Sequence, residues 1–154
     1  MAPATSSTSP ETVRTVGPAA GAPTVTLIPA YHPDDRLVRL VEALRDAGTG
    51  PVVVVDDGSG PTYREVFERA QAAGAELVGH PHNRGKGAAL KTGFAHVLDA
   101  HPGSDVVCAD CDGQHTPTDV ARVAAALAAD PTGNGVVLGA RAFSGKVPPR
   151  SRFG

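Results

Sequence analysis

Apolar residues along this chain fall into short unbroken runs and longer stretches where they recur every three or four positions. The run Val25-Thr26-Leu27-Ile28 predicts a buried strand. Leu37, Leu40, Val41 and Leu44 then follow helical spacing, and Gly48 supplies a stop. Val52-Val53-Val54-Val55 is apolar on both faces, which suits the centre of a parallel sheet. Tyr63, Val66, Phe67 and Ala70 predict a second helix ending near Gly74, and Glu76-Leu77-Val78 a shorter third strand. Ala89, Leu90, Phe94, Val97 and Leu98 mark a third helix, and Val106-Val107-Cys108-Ala109 a fourth strand. Thr116 before Pro117, with Asp119 three residues on, reads as the cap of a fourth helix reaching about Ala129. Val136-Val137-Leu138 predicts a fifth strand.

Strand and helix alternate throughout, so the expected fold is α/β with a mostly parallel sheet and right-handed crossovers. Residues 1–23 stand apart. They are almost all Ala, Pro, Thr, Ser and Gly, with Glu11 and Arg14 as the only charges. Such a segment buries too little apolar surface to offset its ordering entropy and is expected to be a disordered tail. It lacks the basic start and apolar core of a secretory signal, so a cytoplasmic protein is expected. The domain proper is expected to span 24–154.

Composition narrows the class. The chain has 154 residues, 41% hydrophobic and 19% charged, which fits one globular domain. No apolar run approaches the roughly 18 residues of a spanning helix. A net charge of -2 argues against a nucleic-acid partner, and two cysteines exclude a disulfide scaffold.

Ligands of open parallel sheets bind beyond the carboxyl ends of the strands, so the residues there carry the functional information. The first end is Pro29-Ala30-Tyr31-His32-Pro33, the second Asp56-Asp57-Gly58-Ser59. The third is His82-Asn83-Arg84-Gly85-Lys86-Gly87, the fourth Asp110-Cys111-Asp112-Gly113-Gln114-His115, the fifth Gly139-Ala140-Arg141. Asp110 and Asp112 repel each other unless a cation joins them. With the amide oxygen of Gln114 they form a hard-oxygen set suited to Mg²⁺ or Mn²⁺, whose shell substrate phosphates would complete. The plainer reading is two solvated aspartates in a turn. Asp56 and Asp57 are either turn formers or acceptors for a base or ribose. The Asn83–Gly87 stretch opens a helix, where backbone N–H groups and Lys86 would receive an anion. It is neither a Walker A loop, since Gly87 stands where Ser or Thr is required, nor a dinucleotide fingerprint, since Leu90 replaces the third glycine. Tyr31 would stack on a base or pack at the sheet edge. Arg141 would clamp a phosphate or pair with an aspartate. Cys108 and Cys111 do not read as a redox pair, because they span a strand end rather than a helix N-terminus. The six histidines show no metal-ligand spacing, and only His115, beside Gln114, merits attention.

Taken in order, Ile28-Pro29-Ala30-Tyr31, Val55-Asp56-Asp57-Gly58-Ser59, Asn83-Arg84-Gly85-Lys86-Gly87-Ala88, Asp110-Cys111-Asp112-Gly113-Gln114-His115 and Gly139-Ala140-Arg141 resemble the family 2 glycosyltransferases. The nearest likeness is to dolichyl- and polyprenyl-phosphate sugar synthases, over about residues 24–154. The resemblance implies a GT-A fold, whose Rossmann-like nucleotide-binding half has helices on both faces of its sheet. It implies that Pro29, Ala30 and Tyr31 line the nucleotide pocket and that Asp57 bonds the base. Asp110 and Asp112, the catalytic pair, would hold the metal and the sugar diphosphate, with Gln114 as a further ligand and Cys111 between them at the donor. Arg141 would contact the donor's phosphate or sugar, and Lys86 would join the donor site. The chain departs from the family in having His32-Pro33 where Asn-Glu is common. It also ends where family members continue into an acceptor-binding half, so a truncated chain is expected.

The reaction implied is transfer of a sugar, with inversion, from a nucleoside-diphosphate sugar to an acceptor such as a polyprenyl phosphate. Peripheral association with the inner face of a membrane would follow. Two other readings stay open. Asp110-Cys111-Asp112-Gly113 also suggests a phosphatase of the haloacid dehalogenase type, although that family usually has Thr or Val at the position of Gln114 and carries its aspartates on its first strand. A non-catalytic nucleotide-sugar-binding module is the other.

Overall fold

The computed structural model describes residues 23–130. The tail expected at 1–23 falls outside them except for Pro23, as do the fifth strand at 136–138 and Arg141. The elements follow in the order β1 (Val25–Ala30), α1 (Asp35–Asp46), β2 (Val52–Asp56), α2 (Arg64–Ala72), β3 (Glu76–Gly79), α3 (Lys86–Ala100), β4 (Val106–Cys108) and α4 (Pro117–Ala128). A single 3₁₀ turn, Pro61–Tyr63, leads into α2.

All strand pairs are parallel, and the four-stranded sheet has the order β3-β2-β1-β4. Side chains on a strand alternate between faces, and here both faces are apolar. Val25, Leu27, Val53 and Val55 meet Ala89 and Val97 of α3 on one face. Ile28, Ala30, Val52 and Val54 meet Leu37, Val41 and Leu44 of α1, Phe67 and Ala70 of α2 and Val120 of α4 on the other. The helices therefore cover both faces, as the resemblance implied. Leu27, Ile28, Leu37, Leu44 and Val53 are completely buried. Each such side chain contributes roughly 1.5–3 kcal/mol of burial.

Gly93 lets α3 approach this closely. A Cβ there would lie 2.3 Å from Leu27 Cδ1. At the far end of α3, Glu76 accepts hydrogen bonds from His96 Nε2 and His101 Nε2, both at 2.7 Å. Burial alone would push the Glu76 carboxyl up, and the bonds from the histidines outweigh it and hold it low. This cluster ties α3 to the amino end of β3, at the opposite edge of the sheet from the strand ends described next.

Two strands run further than the apolar runs suggest. β1 continues through Pro29 to Ala30, and β2 takes in Asp56. A proline in a central strand normally breaks a ladder. Here Val25 N–H bonds Asp105 O, and Leu27 O accepts from Ala109 N–H, so residues 25 and 27 face β4. By alternation Pro29 faces the same edge, beyond the last β4 rung at Leu27 and Cys108. Its missing N–H costs no ladder bond and marks where β1 and β4 part.

Candidate active site

The chain order β1-β2-β3 runs to one side of β1, while β4 lies on the other. The crossover direction therefore reverses between β1 and β4. In open α/β sheets that switch point is where a crevice forms at the carboxyl ends. A cavity of about 390 Å³ lies there, lined by Pro29, Ala30, Tyr31, Asp57, Asn83, Gly85, Lys86, Ala89, Asp110, Cys111 and Asp112. Its volume suits a small-molecule ligand. Among the site residues read from the sequence, Pro29, Ala30, Tyr31, Asp57, Lys86, Asp110, Cys111 and Asp112 are thus brought together. Gln114 adjoins them through Asp112. Arg141 lies outside the described residues.

The adjacent aspartates after β2 behave differently. Asp56 Oδ1 accepts from Ser59 N–H at 2.8 Å and forms the turn. Ser59 Oγ in turn accepts from His32 N–H at 3.0 Å, which fixes the loop after β1. His32 has a φ of 51° and stacks between two tyrosines. Its ring lies 3.8 Å from Tyr31 and 4.5 Å from Tyr63, centroid to centroid. The departure at His32 thus builds an aromatic ladder at the cavity's edge, ending in the half-exposed Tyr31.

Asp57 is buried and accepts three hydrogen bonds. Its Oδ1 accepts from His80 Nδ1 at 2.7 Å and from Arg84 N–H at 3.0 Å, and its Oδ2 from Gly85 N–H at 2.8 Å. Burial would raise its carboxyl, but the bonds from His80, Arg84 and Gly85 together hold it below the ordinary range. A carboxylate oxygen has two acceptor positions, so only one, on Oδ2, is left over by these bonds. His80 passes the connection on through Nε2 to Thr92 Oγ1 on α3, at 2.7 Å. His80 is absent from the residues picked out in the sequence. Its signal was positional: it is the first residue after β3, at the same level as Asp57 after β2.

Across the cavity, Lys86 Nζ donates to Asp110 Oδ1 at 2.5 Å. This bond is the main reason the Asp110 carboxyl sits low, and it outweighs the upward push of burial. His115 Nε2 stands 3.7 Å from Asp110 Oδ2. Asp112 accepts from Gln114 twice, from the backbone N–H at 2.9 Å and from Nε2 at 2.5 Å. Cys111, between the acids, has its thiol pushed up by burial, and Cys108 is shifted the same way. Both shifts run away from the thiolate form that a reactive cysteine needs.

Asp110 and Asp112 both line the cavity and offer the hard oxygen donors that a divalent cation takes, but here each carboxylate is already paired, Asp110 with Lys86 and Asp112 with Gln114. Two carboxylates face one cavity, and an ammonium and an imidazole already gather at Asp110. Among the described residues, no three or more His, Cys, Asp or Glu side chains are arranged to hold a metal. The protein would therefore supply Asp110 and Asp112, and Gln114 only by turning its Oε1 inward, leaving further positions for phosphate oxygens and water.

A model of glycosyl transferase family 2 matches residues 26–152. The chain belongs to glycosyl transferase family 2. This membership replaces the phosphatase reading, and β1 ends in Pro29 and Ala30 rather than in aspartates. Within the family, the chain is 27% identical over 112 residues to a UDP-N-acetylglucosamine–dolichyl-phosphate N-acetylglucosaminyltransferase of Methanococcus voltae, covering 63% of this chain and 44% of that protein. It is 34% identical over 99 residues to a dolichyl-phosphate beta-glucosyltransferase of Trichomonas vaginalis, covering 56% and 29%. Among solved structures, glucosyl-3-phosphoglycerate synthase from Mycobacterium tuberculosis, in complex with Mn²⁺, UDP and glucosyl-3-phosphoglycerate, superposes with a TM-score of 0.56 at 26% identity. The match covers 73% of this chain and 42% of that one. The chain thus spans less than half the length of these relatives.

Proposed function

We propose that the chain binds a nucleoside-diphosphate sugar, GDP- or UDP-linked, with Mg²⁺ or Mn²⁺, as the donor half of an inverting glycosyltransferase. The observation that carries this is the meeting of Asp110, Asp112, Lys86 and Tyr31 in one cavity at the sheet's switch point. Pro29 and Ala30 form a wall for the nucleoside, and Tyr31 offers its ring face. The remaining acceptor position on Asp57 Oδ2 takes a donor hydrogen from the base. Lys86, freed from Asp110, and the first amides of α3 receive the diphosphate. Asp110 and Asp112, with Gln114, hold the cation, Cys111 packs between them, and Arg141 contacts the donor's phosphate or sugar. A cation held there would neutralise charge on the departing diphosphate.

The acceptor oxygen attacks the anomeric carbon, and the bond to the diphosphate breaks with its electron pair leaving on the nucleoside diphosphate. The acceptor proposed is a polyprenyl phosphate, supported by the dolichyl phosphate in the names of the Methanococcus and Trichomonas relatives. Such an acceptor is already an anion and needs no strong base, whereas a hydroxyl would need a carboxylate base. No helix among the described residues is long and apolar enough to cross a membrane. The proposal is a cytoplasmic protein that meets a lipid acceptor by peripheral association with the inner face of a membrane.

Calorimetric titration with GDP- and UDP-sugars in Mn²⁺, then in EDTA, tests the donor reading. Binding in Mn²⁺ that is lost in EDTA and in a folded Asp112→Ala variant is expected. Binding that ignores both changes, or none by folded protein, would overturn it. Donor binding without turnover by a longer chain that includes the acceptor half would leave the nucleotide-sugar-binding module.

A further inference from the structure

Asp57, His80 and Thr92 form a chain of hydrogen bonds, buried at Asp57 and at the His80 ring, that the proposed donor contacts do not explain. The side chains of His80 and Asp57 are only 5% and 4% exposed. Both ring nitrogens of His80 are engaged, Nδ1 with Asp57 and Nε2 with Thr92 Oγ1, each at 2.7 Å. A carboxylate only accepts, so His80 carries its proton on Nδ1. The order carboxylate, imidazole, hydroxyl is also that of a hydrolytic triad. Thr92 does not line the cavity, however, and Asp57 is bound to two loop amides as well. The chain leads to the loop, not to a nucleophile.

We propose that His80 is a positioning residue. It holds the Asp57 carboxylate in the orientation that latches the Arg84 and Gly85 amides, and so presets Lys86 and the start of α3 for a diphosphate. The loop needs such a latch. Gly85 has a φ of 90° and is followed by Lys86 and Gly87, a segment with much backbone freedom to lose. Asp57 reaches it across 27 and 28 residues of chain. His80 anchors the carboxylate on one side to the end of β3 and on the other to α3, so three segments are joined at one point. Without the imidazole, a buried carboxylate would lose its one side-chain donor and turn toward water, taking the latch with it.

The inference rests on the donor reading for its functional half, and two readouts keep the two apart. The first is amide hydrogen exchange at Arg84 and Gly85 in the full chain. The second is affinity for UDP in Mn²⁺. His80→Leu is expected to speed exchange at these two amides while α1 stays protected, and to weaken UDP about ten- to a hundred-fold. His80→Asn, whose side-chain amide offers a donor to Asp57, is expected to restore most of both. If His80→Leu fails to fold, Thr92→Val, which removes one anchor of the ring, should show the same changes at smaller size. Unchanged exchange at Arg84 and Gly85 in a folded His80→Leu or Thr92→Val variant would overturn the latch. Equal damage in His80→Leu and His80→Asn would also overturn it. Wild-type protein that binds no UDP or GDP would overturn the donor reading, while the exchange result still decides the latch.

Discussion

Asp56 and Asp57 are chemically identical neighbours with different tasks. The first shapes a turn at Ser59, and the second is buried against His80 and the Arg84–Gly85 backbone. The sequence left both roles open because Asp-Gly suits a turn and a ligand contact equally well. What separates them is the His80 loop, which arrives from 23 residues away. The Asp57 carboxyl is held below the ordinary aspartate range, because its hydrogen bonds outweigh the upward push of burial. The sign follows. A lowered folded value means that this stabilisation is complete above the unfolded-state value of about 3.9 and is lost as pH falls through the folded one. The thermal stability of the wild type should therefore fall below about pH 4. Asp57→Asn should be less stable at neutral pH, and its curve should converge on the wild type as pH falls. Parallel curves would mean that Asp57 is not the group responsible.

Elements were the most legible level. Every helix and strand expected within 24–130 forms, because runs of β-branched residues and helical spacing of Leu and Val report burial directly. The cap of α4 was also readable. Thr116 Oγ1 accepts from Asp119 N–H at 3.2 Å, while Asp119 Oδ2 accepts from Thr116 N–H at 3.1 Å. The cap adjoins the Asp112–Gln114 turn, so it sets where the acidic loop ends. Thr116→Ala should cost about 1 kcal/mol in denaturant unfolding with the fold retained. No loss of stability would show that Pro117 at the first helical position suffices. The end of β1 was less legible. Pro29 reads as a breaker, and only the short β4 makes it acceptable in a central strand, since its nitrogen faces an edge that β4 has already left.

At the scale of the whole molecule, the site depends on segments far apart in the chain meeting at one edge of the sheet. Gly58 shows how tightly they meet. With a φ of 70°, it sits where a Cβ would come within 2.1 Å of the His82 carbonyl carbon. Gly58→Ala would be strained in its backbone and would collide with a neighbouring backbone that cannot swing aside. A loss of about 1–3 kcal/mol is expected in thermal unfolding, together with weaker Mn²⁺-dependent UDP binding. Wild-type binding in this variant would mean that the 80–85 segment need not rest on the β2 turn. By contrast, the exposed Lys86–Asp110 pair contributes little stability itself. Its significance is that it marks opposite walls of one cavity.

The sequence by itself determined the alternating elements, the apolar character of both sheet faces and the family, because burial periodicity and motif order are local properties of the chain. It also named eight of the residues that line the cavity. The tertiary structure alone decided the strand order that opens β1 from β4, the division of labour between Asp56 and Asp57, and the place of His80. Those depend on hydrogen bonds between residues more than 20 positions apart. No spacing along the chain encodes such bonds. They arise when right-handed crossovers bring separate strand ends to the same edge.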